Sequence, residues 1–466
     1  MNEQHSRAQD PALTQSLYET AQKIYPRKVT GKFAALRLLS VTCLLGIYYG
    51  LPWLRWGERQ AVLFDLPARK FYIFGWTFWP QDFVYLTFLL ALAALSLFFF
   101  TALAGRLWCG FACPQTVWTE AFLAVERFVE GDRRNQIKLD ASPWNLQKLR
   151  KKALKHILWL VLAAWTGFTF VGYFTPVTDL ASRVPAFELG PWETFWVLFY
   201  AFATWGNAGF MREQVCKYMC PYARFQSAMF DKDTLIITYD EKRGEARGSR
   251  RRSEDYRVRG LGDCIDCSIC VQVCPTGIDI RDGLQYQCIA CSACVDACDT
   301  VMEKIGYPKG LIRYDTQHGL EGKPTRLLRP RVIVYAALLA SLIAMFIYSV
   351  AGRVPLGLDV IRDRNALYRE TDEGLIENVY LLKILNMSEA DQTYTLHVRG
   401  IEGADLVLDR DELRVAGGAV LELPVSVRAD EAQLHARSMR IEFLLSASGE
   451  VSLAVAEEAR FLGPAR

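Results

Sequence analysis

Eight of the thirteen cysteines fall between Cys264 and Cys298, and no other stretch restricts the chain as tightly. The run CIDCSICVQVCP is followed by a spacer of twelve residues and then by CIACSACVDAC, so the spacing Cys-x2-Cys-x2-Cys-x3-Cys occurs twice. Two intervening residues let a chain coil tightly around one corner of a cubane. Paired [4Fe–4S] sites use this spacing, taking three thiolates from one run and the fourth from the other. One cluster is therefore expected on Cys264, Cys267, Cys270 and Cys298, and a second on Cys288, Cys291, Cys294 and Cys274. Pro275 turns the chain away after the first run, whereas Asp299 stands at the matching place after the second, which changes a turn residue and no ligand. Structural zinc usually takes four ligands from two separated cysteine pairs, not eight in two contiguous runs. Disulfides fit less well still, because such density suits metal thiolates in a reducing compartment.

At 466 residues the chain exceeds one ordinary domain, and 51% hydrophobic and 12% aromatic residues point to a membrane part joined to soluble parts. Five windows, approximately 33–54, 83–104, 157–177, 192–211 and 332–350, are long enough to approach or cross a hydrocarbon core of about 30 Å. The second, third and fifth carry no charge. Arg37 and Glu193 lie near the starts of the first and fourth, where a side chain reaches the interface. Any single window would also suit a soluble helical core, but five separated by charged loops point to a bilayer. The expected domains are a segment 1–32, a four-helix membrane region 33–211, and a segment 212–331 with a bacterial-ferredoxin-like module at about 260–305. A fifth span at 332–350 and a tail at 351–466 complete the chain.

Orientation follows from the loops, since Lys and Arg accumulate on the cytoplasmic side. Residues 105–156 carry ten of them, and 178–191 carry only Arg183. The four basic residues of 55–82 pull mildly the other way. The expected result is a cytoplasmic N-terminus and cluster segment, with the tail on the outer face. All thirteen cysteines lie at or before Cys298, which agrees with a reducing side for the clusters. The apolar stretch after residue 32 lacks a small-residue cleavage site and reads as an uncleaved anchor. Residues 1–25 are expected to be flexible, 242–260 to form a solvated charged linker, and FYIFGWTFW at 71–79 to be an interfacial or re-entrant piece.

Beyond the fifth span the pattern shortens to NVYLLKILN, QTYTLHVRG, ADLVLD, AVLELPVSV, MRIEFLLSA and VSLAVA. Alternating runs of this length separated by Gly, Asp and Ser turns predict an antiparallel β-sandwich of about 100 residues. With no cysteine there, its core has no inter-sheet disulfide.

An internal echo appears in the membrane part. Cys109-x3-Cys113-Pro114 and Cys216-x3-Cys220-Pro221 lie 107 residues apart at both positions, with Arg106 and Arg212 just before them. A separation of four puts both thiols of a pair on one helical face, and the proline disrupts or redirects the helix beyond. Four such thiols at the membrane face suit a soft ion such as Cu(I), or a thiol–disulfide cycle during electron transfer; the plain alternative is small buried thiols. Met211 and Met219 are possible thioether neighbours or core gap-fillers. Cys43 has no partner nearby and reads as structural. Of the five histidines only His156 lies at the edge of a span, so a bis-histidine transmembrane haem has no ligand set. No Gly-rich phosphate loop stands out, and no nucleotide, flavin or nucleic-acid site is expected.

Taken together, RLWCGFACPQTVW at 106–118, VCKYMCPYARFQ at 215–226, the two cysteine runs, DVIRDRNALYRE at 359–370 and NVYLLKILN at 378–386 resemble the CcoG proteins, also called FixG or RdxA, which are cytochrome c oxidase accessory proteins. The resemblance implies a multidomain protein of the bacterial inner membrane. It would have five transmembrane α-helices, a cytoplasmic 2[4Fe–4S] module and a periplasmic C-terminal immunoglobulin-like sandwich. It also implies reduction of Cu(II) to Cu(I) for assembly of a cbb-type oxidase, with an oxidase assembly machinery or a copper chaperone as partner. Cys109, Cys113, Cys216 and Cys220 occupy the family's membrane cysteine motifs, as candidate catalytic and copper-binding residues. The eight cysteines from Cys264 to Cys298 occupy its cluster motifs. Two other readings stand beside this one: a quinol-linked electron relay without copper chemistry, and an assembly scaffold whose clusters only sense redox state. The sequence does not identify the electron donor.

Overall fold

The computed structural model describes residues 23–251, 256, 258–410, 412–447 and 453–464. Most of the expected flexible segment 1–25 lies outside them. Its last residues are pinned, with Lys23 paired to Asp140 at 2.9 Å and the Tyr25 hydroxyl donating to the same carboxylate at 2.7 Å. Two compact units emerge. One contains Met1–Tyr49, Leu97–Phe170 and Gly190–Tyr335, and the other Gly50–Ser96, Val171–Leu189 and Ala336–Arg466.

Long apolar runs form the candidate membrane helices. Among the described residues four are long and apolar enough to cross a bilayer: Lys32–Trp53, Pro80–Ala104, Leu146–Val171 and Pro330–Ala351. The third begins about ten residues before its expected window, because the basic stretch after Leu146 continues the same helix. The fourth expected window, 192–211, differs more. It is an α-helix over Pro191–Thr204 that becomes π-helical over Trp205–Met211. Such bulges are frequent at functional sites, and this one leads directly to the second cysteine pair.

In the first unit, the strands Ile236–Tyr239 and Ile312–Asp315 pair antiparallel on either side of the cysteine runs in sequence. Each run feeds a helix, Ile269–Gln272 after the first and Ala293–Ile305 after the second. The helix Lys32–Gly50 is tied to this module at its start. The Asp296 carboxylate accepts the backbone N–H groups of Phe33 at 3.2 Å and Ala34 at 2.7 Å, and so caps otherwise unsatisfied donors. Gly31 permits the approach, since a Cβ there would fall 2.3 Å from the Asp296 carboxyl carbon. The described part of the 242–260 linker is less free than its charge suggests. Arg243 pairs with Asp263, and Arg250 lies over the ring of Tyr256 at 4.5 Å.

The second unit holds the expected sandwich. One sheet runs in the order Asp405–Val407, Val420–Asp430, Leu375–Asn386, Leu356–Arg362, with Arg369–Glu370 also on Leu375–Asn386. The other runs Leu413–Val415, Gln392–Arg399, Ser438–Ala447, Ala454–Leu462. Alternation along Leu375–Asn386 turns Tyr380, Leu382 and Ile384 inward, where all three are fully buried with Phe443, Leu445 and Phe461. In place of a disulfide, the Tyr380 and Phe443 rings meet edge-on at 5.2 Å, and the Tyr380 hydroxyl donates to the Arg460 carbonyl at 3.0 Å. Asn378 exchanges two hydrogen bonds with the Leu462 backbone at 2.8 and 3.0 Å.

The 71–79 run is not re-entrant. It forms two strands of a small antiparallel sheet, Val62–Asp65, Lys70–Ile73 and Trp76–Phe78, joined by a two-residue turn at Phe74 and Gly75. The following Trp79 packs with Leu385 and Met387, and Arg353 pairs with Asp82 at 2.5 Å. An aromatic run reads as interfacial by composition, and this hairpin leaves Trp76 and Phe74 exposed.

Phe443→Ala would open a cavity at the centre of the sandwich. It is expected to destabilise that domain by about 3–5 kcal/mol, measured as a lowered thermal midpoint for proteolytic cleavage within 356–462 of the full-length protein.

Candidate functional site

The two cysteine runs fold alike. In each, the second residue after the first cysteine and the residue after the second cysteine take left-handed backbone: Asp266 and Ser268 at φ 53°, Ala290 at 54° and Ser292 at 61°. None is glycine, so the conformation costs energy that the surroundings must offset. It also turns amide N–H groups inward. Those of Ala290 and Ala293 point at the sulfurs of Cys288 and Cys291, and that of Val271 at Cys270. Inward amides make a concave site for negative charge.

The runs also cross. Cys298 lies within electrostatic reach of Cys264, Cys267 and Cys270, while Cys274 lies with Cys288, Cys291 and Cys294. A single cavity is lined by Cys274, Cys288, Cys291 and Cys294, with Cys270 and the apolar Ile278 and Ile289. Burial pushes the thiols of Cys288 and Cys298 up to about 12 and that of Cys270 to about 11. Bare thiolates would be unfavourable there, and iron coordination supplies the missing compensation. Among the described residues no three His, Cys, Asp or Glu side chains are set to hold a single metal ion.

The membrane-face cysteines differ in detail from a shared helical face. Cys109 sits in the short helix Leu107–Phe111, whereas Cys113 is the extended N-cap of Pro114–Glu130. Cys216 lies in the π-helical turn Val215–Met219, and Cys220 caps Pro221–Ala228. The prolines therefore start new helices as their first residues, a position where the missing N–H costs nothing. The Cys113 sulfur makes no side-chain capping hydrogen bond, although the amides of Gln115 and Thr116 lie near enough to favour its thiolate. Even so, the two repeats meet. Cys109 feels charge on Cys113, Cys216 and Cys220, and Cys216 feels Cys113 and Cys220. All four are partly buried free cysteines. They are neighbours. Burial raises Cys109 to about 12 and Cys216 to about 11.

Contact with the cluster runs is direct. Cys109 and Cys216 pack against Val273, Ile289, Cys291, Ala293 and Ala297. Gly110 lies against the loop between Cys288 and Cys291, where a Cβ would sit 2.8 Å from the Ile289 carbonyl oxygen and 2.7 Å from that of Ala290. The Cys109 thiol donates to Gln226 Oε1 at 3.2 Å, and Gln226 is fully buried. Arg106 donates to the carbonyls of Cys288 at 3.1 Å, of Tyr286 and of Ala223, and so joins the first repeat, the second run and the second repeat. Arg37 reaches the Cys291 carbonyl at 3.3 Å. Sequence reasoning noted Arg106 only by its place. It placed Arg37 only at an interface and passed over Gly110, Asp296 and Gln226; the partners that tie all four to the site lie 117 or more residues away. The glycine inside Cys-Gly-Phe-Ala-Cys was the one available signal.

Comparison with known proteins agrees with this geometry. Residues 211–317 match a family model described as a 4Fe-4S dicluster domain, 85–128 one described as a 4Fe-4S binding domain, and 346–464 the IG-like fold at the C-terminal of FixG. The second of these regions holds only Cys109 and Cys113, too few for a cluster of its own. The chain is similar to the nitrogen fixation protein FixG of Rhizobium meliloti, 39% identical over 440 residues covering 86% of this chain and 83% of that protein. It is similar to protein RdxA of Cereibacter sphaeroides, 41% identical over 433 residues covering 90% and 89%. Protein RdxB of the same organism is 42% identical over 414 residues, covering 85% of each.

Two outcomes are expected. Gly110→Ala forces a Cβ into the Ile289–Ala290 backbone and should broaden or abolish the EPR signal of the cluster nearest that loop, leaving the other in place. At pH 8 roughly one Cys109 in ten thousand is thiolate, against about one in ten at the ordinary value of 9. Iodoacetamide should therefore modify Cys109 at least about a hundredfold more slowly than an unstructured cysteine peptide, with the rate still rising at pH 10, as followed by mass spectrometry.

Proposed function

The chain belongs to the FixG/RdxA family of iron–sulfur electron-transfer proteins, and from that premise we propose that it is a membrane cupric reductase serving assembly of a cbb-type cytochrome c oxidase. The observation that carries the reading is the packing of Cys109 and Cys216 on the second cysteine run, with Gly110 against its backbone. In this reading Cys264, Cys267, Cys270 and Cys298 hold one [4Fe–4S] cluster, and Cys274, Cys288, Cys291 and Cys294 hold the other. When bound, the clusters supply one-electron carriers. The inward amides of Ala290 and Ala293 stabilise the thiolates, while Ile278 and Ile289 keep water from the cavity.

Cu(II) is the substrate, and each ion takes one electron to become Cu(I). Cys109, Cys113, Cys216 and Cys220 meet it at the face of the runs. Burial raises the proton affinity of Cys109, Cys113 and Cys216, so engagement of the metal there displaces protons. Soft sulfur then favours the reduced ion. Excess basic residues in 105–156 support a cytoplasmic position for this site, in the inner membrane of a bacterium, with the sandwich in the periplasm. An oxidase assembly factor or copper chaperone would receive the product.

The test uses full-length protein purified anaerobically with its clusters intact and reduced by dithionite, excess reductant being removed. Addition of Cu(II) should reoxidise the clusters and yield Cu(I), scored with a Cu(I)-specific chelator. Serine at Cys109, Cys113, Cys216 and Cys220 should slow this at least tenfold without loss of cluster absorbance. Undiminished Cu(I) production in that variant would remove the thiols from the reaction.

A further inference from the structure

Arg106 is 4% exposed, and it forms no ion pair with a carboxylate among the described residues. Its guanidinium donates to the carbonyls of Tyr286, Cys288 and Ala223, and its Nε has no partner. The charged groups it feels most are Cys109, Cys288, Cys216 and Cys220. Its counterpart in the other repeat has a different fate. Arg212 is paired with Glu126 at 2.8 Å and lies over the Trp159 ring at 5.5 Å. A buried cation paired only with carbonyl dipoles is costly, unless a negative group completes the site.

The first cysteine set is balanced in the opposite sense. Arg281, the cation acting on Cys270, is held between Asp279 at 2.6 Å and Asp266 at 2.5 Å. Asp299 adds a further negative charge beside Cys298. The second set receives Arg106 with no ion pair among the described residues, and also Arg37, which is paired with Glu120 at 3.9 Å, a carboxylate whose charge reaches Cys291 as well. A fixed positive charge in a low-dielectric site stabilises the more negative, reduced state of a neighbouring centre and raises its potential.

We infer that Arg106 is the counter-charge that makes the Cys274, Cys288, Cys291 and Cys294 centre the higher in potential of the two, and thereby directs electrons toward the membrane-face thiols. Arg106 is a positioning residue for charge. It touches no substrate, and it contacts the centre through the Cys288 carbonyl. One electron enters at the Cys264, Cys267, Cys270 and Cys298 centre and leaves from the other, next to Cys109. The inference rests on the two-cluster assignment made above, which iron and sulfide analysis and the Cu(II) assay on the unaltered protein test separately.

Full-length protein, anaerobic and loaded, is titrated with redox mediators while EPR follows each cluster. Two midpoints are expected. Arg106→Gln should lower the higher one by about a tenfold change in the reduction equilibrium, ~59 mV for one electron, and leave the lower in place. Arg106→Lys, which keeps the charge, should stay close to the unaltered protein. Arg281→Gln should lower only the lower midpoint. Because Arg281 lies apart from Arg106, this variant tests the order of the two centres even if Arg106→Gln loses its iron. An unmoved higher midpoint in Arg106→Gln, or an Arg281→Gln shift in the higher one, would overturn the inference. Loss of iron in both Arg106 variants would do the same, by making the residue a structural strut.

Discussion

The close approach of main chain to main chain at Gly110 is the constraint on which the rest of the first unit depends. With no side chain in between, the start of the first repeat rests on the Ile289 and Ala290 carbonyls. That contact brings Cys109 onto the second cysteine run and Arg106 into reach of the Cys288 carbonyl. The second repeat then closes over the same patch through Cys216 and Gln226. Distance is thus fixed by backbone, while charge and hydrogen bonding around it are left to side chains. Electron transfer needs both, and here they are set by different parts of the chain.

Spacing rules served well wherever the chemistry is local. The cysteine runs announce their clusters because a cubane leaves little freedom in the residues between ligands, and the crossed grouping of Cys298 and Cys274 follows from the same geometry. Alternation announced the sandwich, since a strand with one buried face must repeat every two residues, as Tyr380, Leu382 and Ile384 do. The strands Leu356–Arg362 and Leu413–Val415 fall outside the alternating runs, whereas the equally short Asp405–Val407 lies inside one.

Inference failed where a local signal had two physical outcomes. A separation of four implies one helical face only if the helix continues, and Cys113 and Cys220 end theirs by becoming caps for the next. The window 192–211 is apolar enough to span, but hydropathy carries no trace of the change from α to π winding at Trp205. Aromatic residues at 71–79 suit a membrane interface and a β-hairpin equally, and only the partner strand Val62–Asp65 decides between them. Residues such as Arg106 and Gln226 were invisible for a related reason. Their meaning lies in what is absent or present around them in space, and one sequence without partners does not carry that.

The cap that Asp296 places on the helix Lys32–Gly50 bears on how such a protein can evolve. Asp296 belongs to the second cysteine run, between Cys294 and Cys298, and the helix it completes is the first apolar segment of the chain. The redox module is therefore no interchangeable cassette. A replacement lacking a carboxylate at that position would leave two amides uncapped at the head of the anchor, and a replacement anchor lacking Gly31 would collide with the carboxylate. Recombination that separated the two would have to repair both at once, so inheritance as a single block is the path of least resistance.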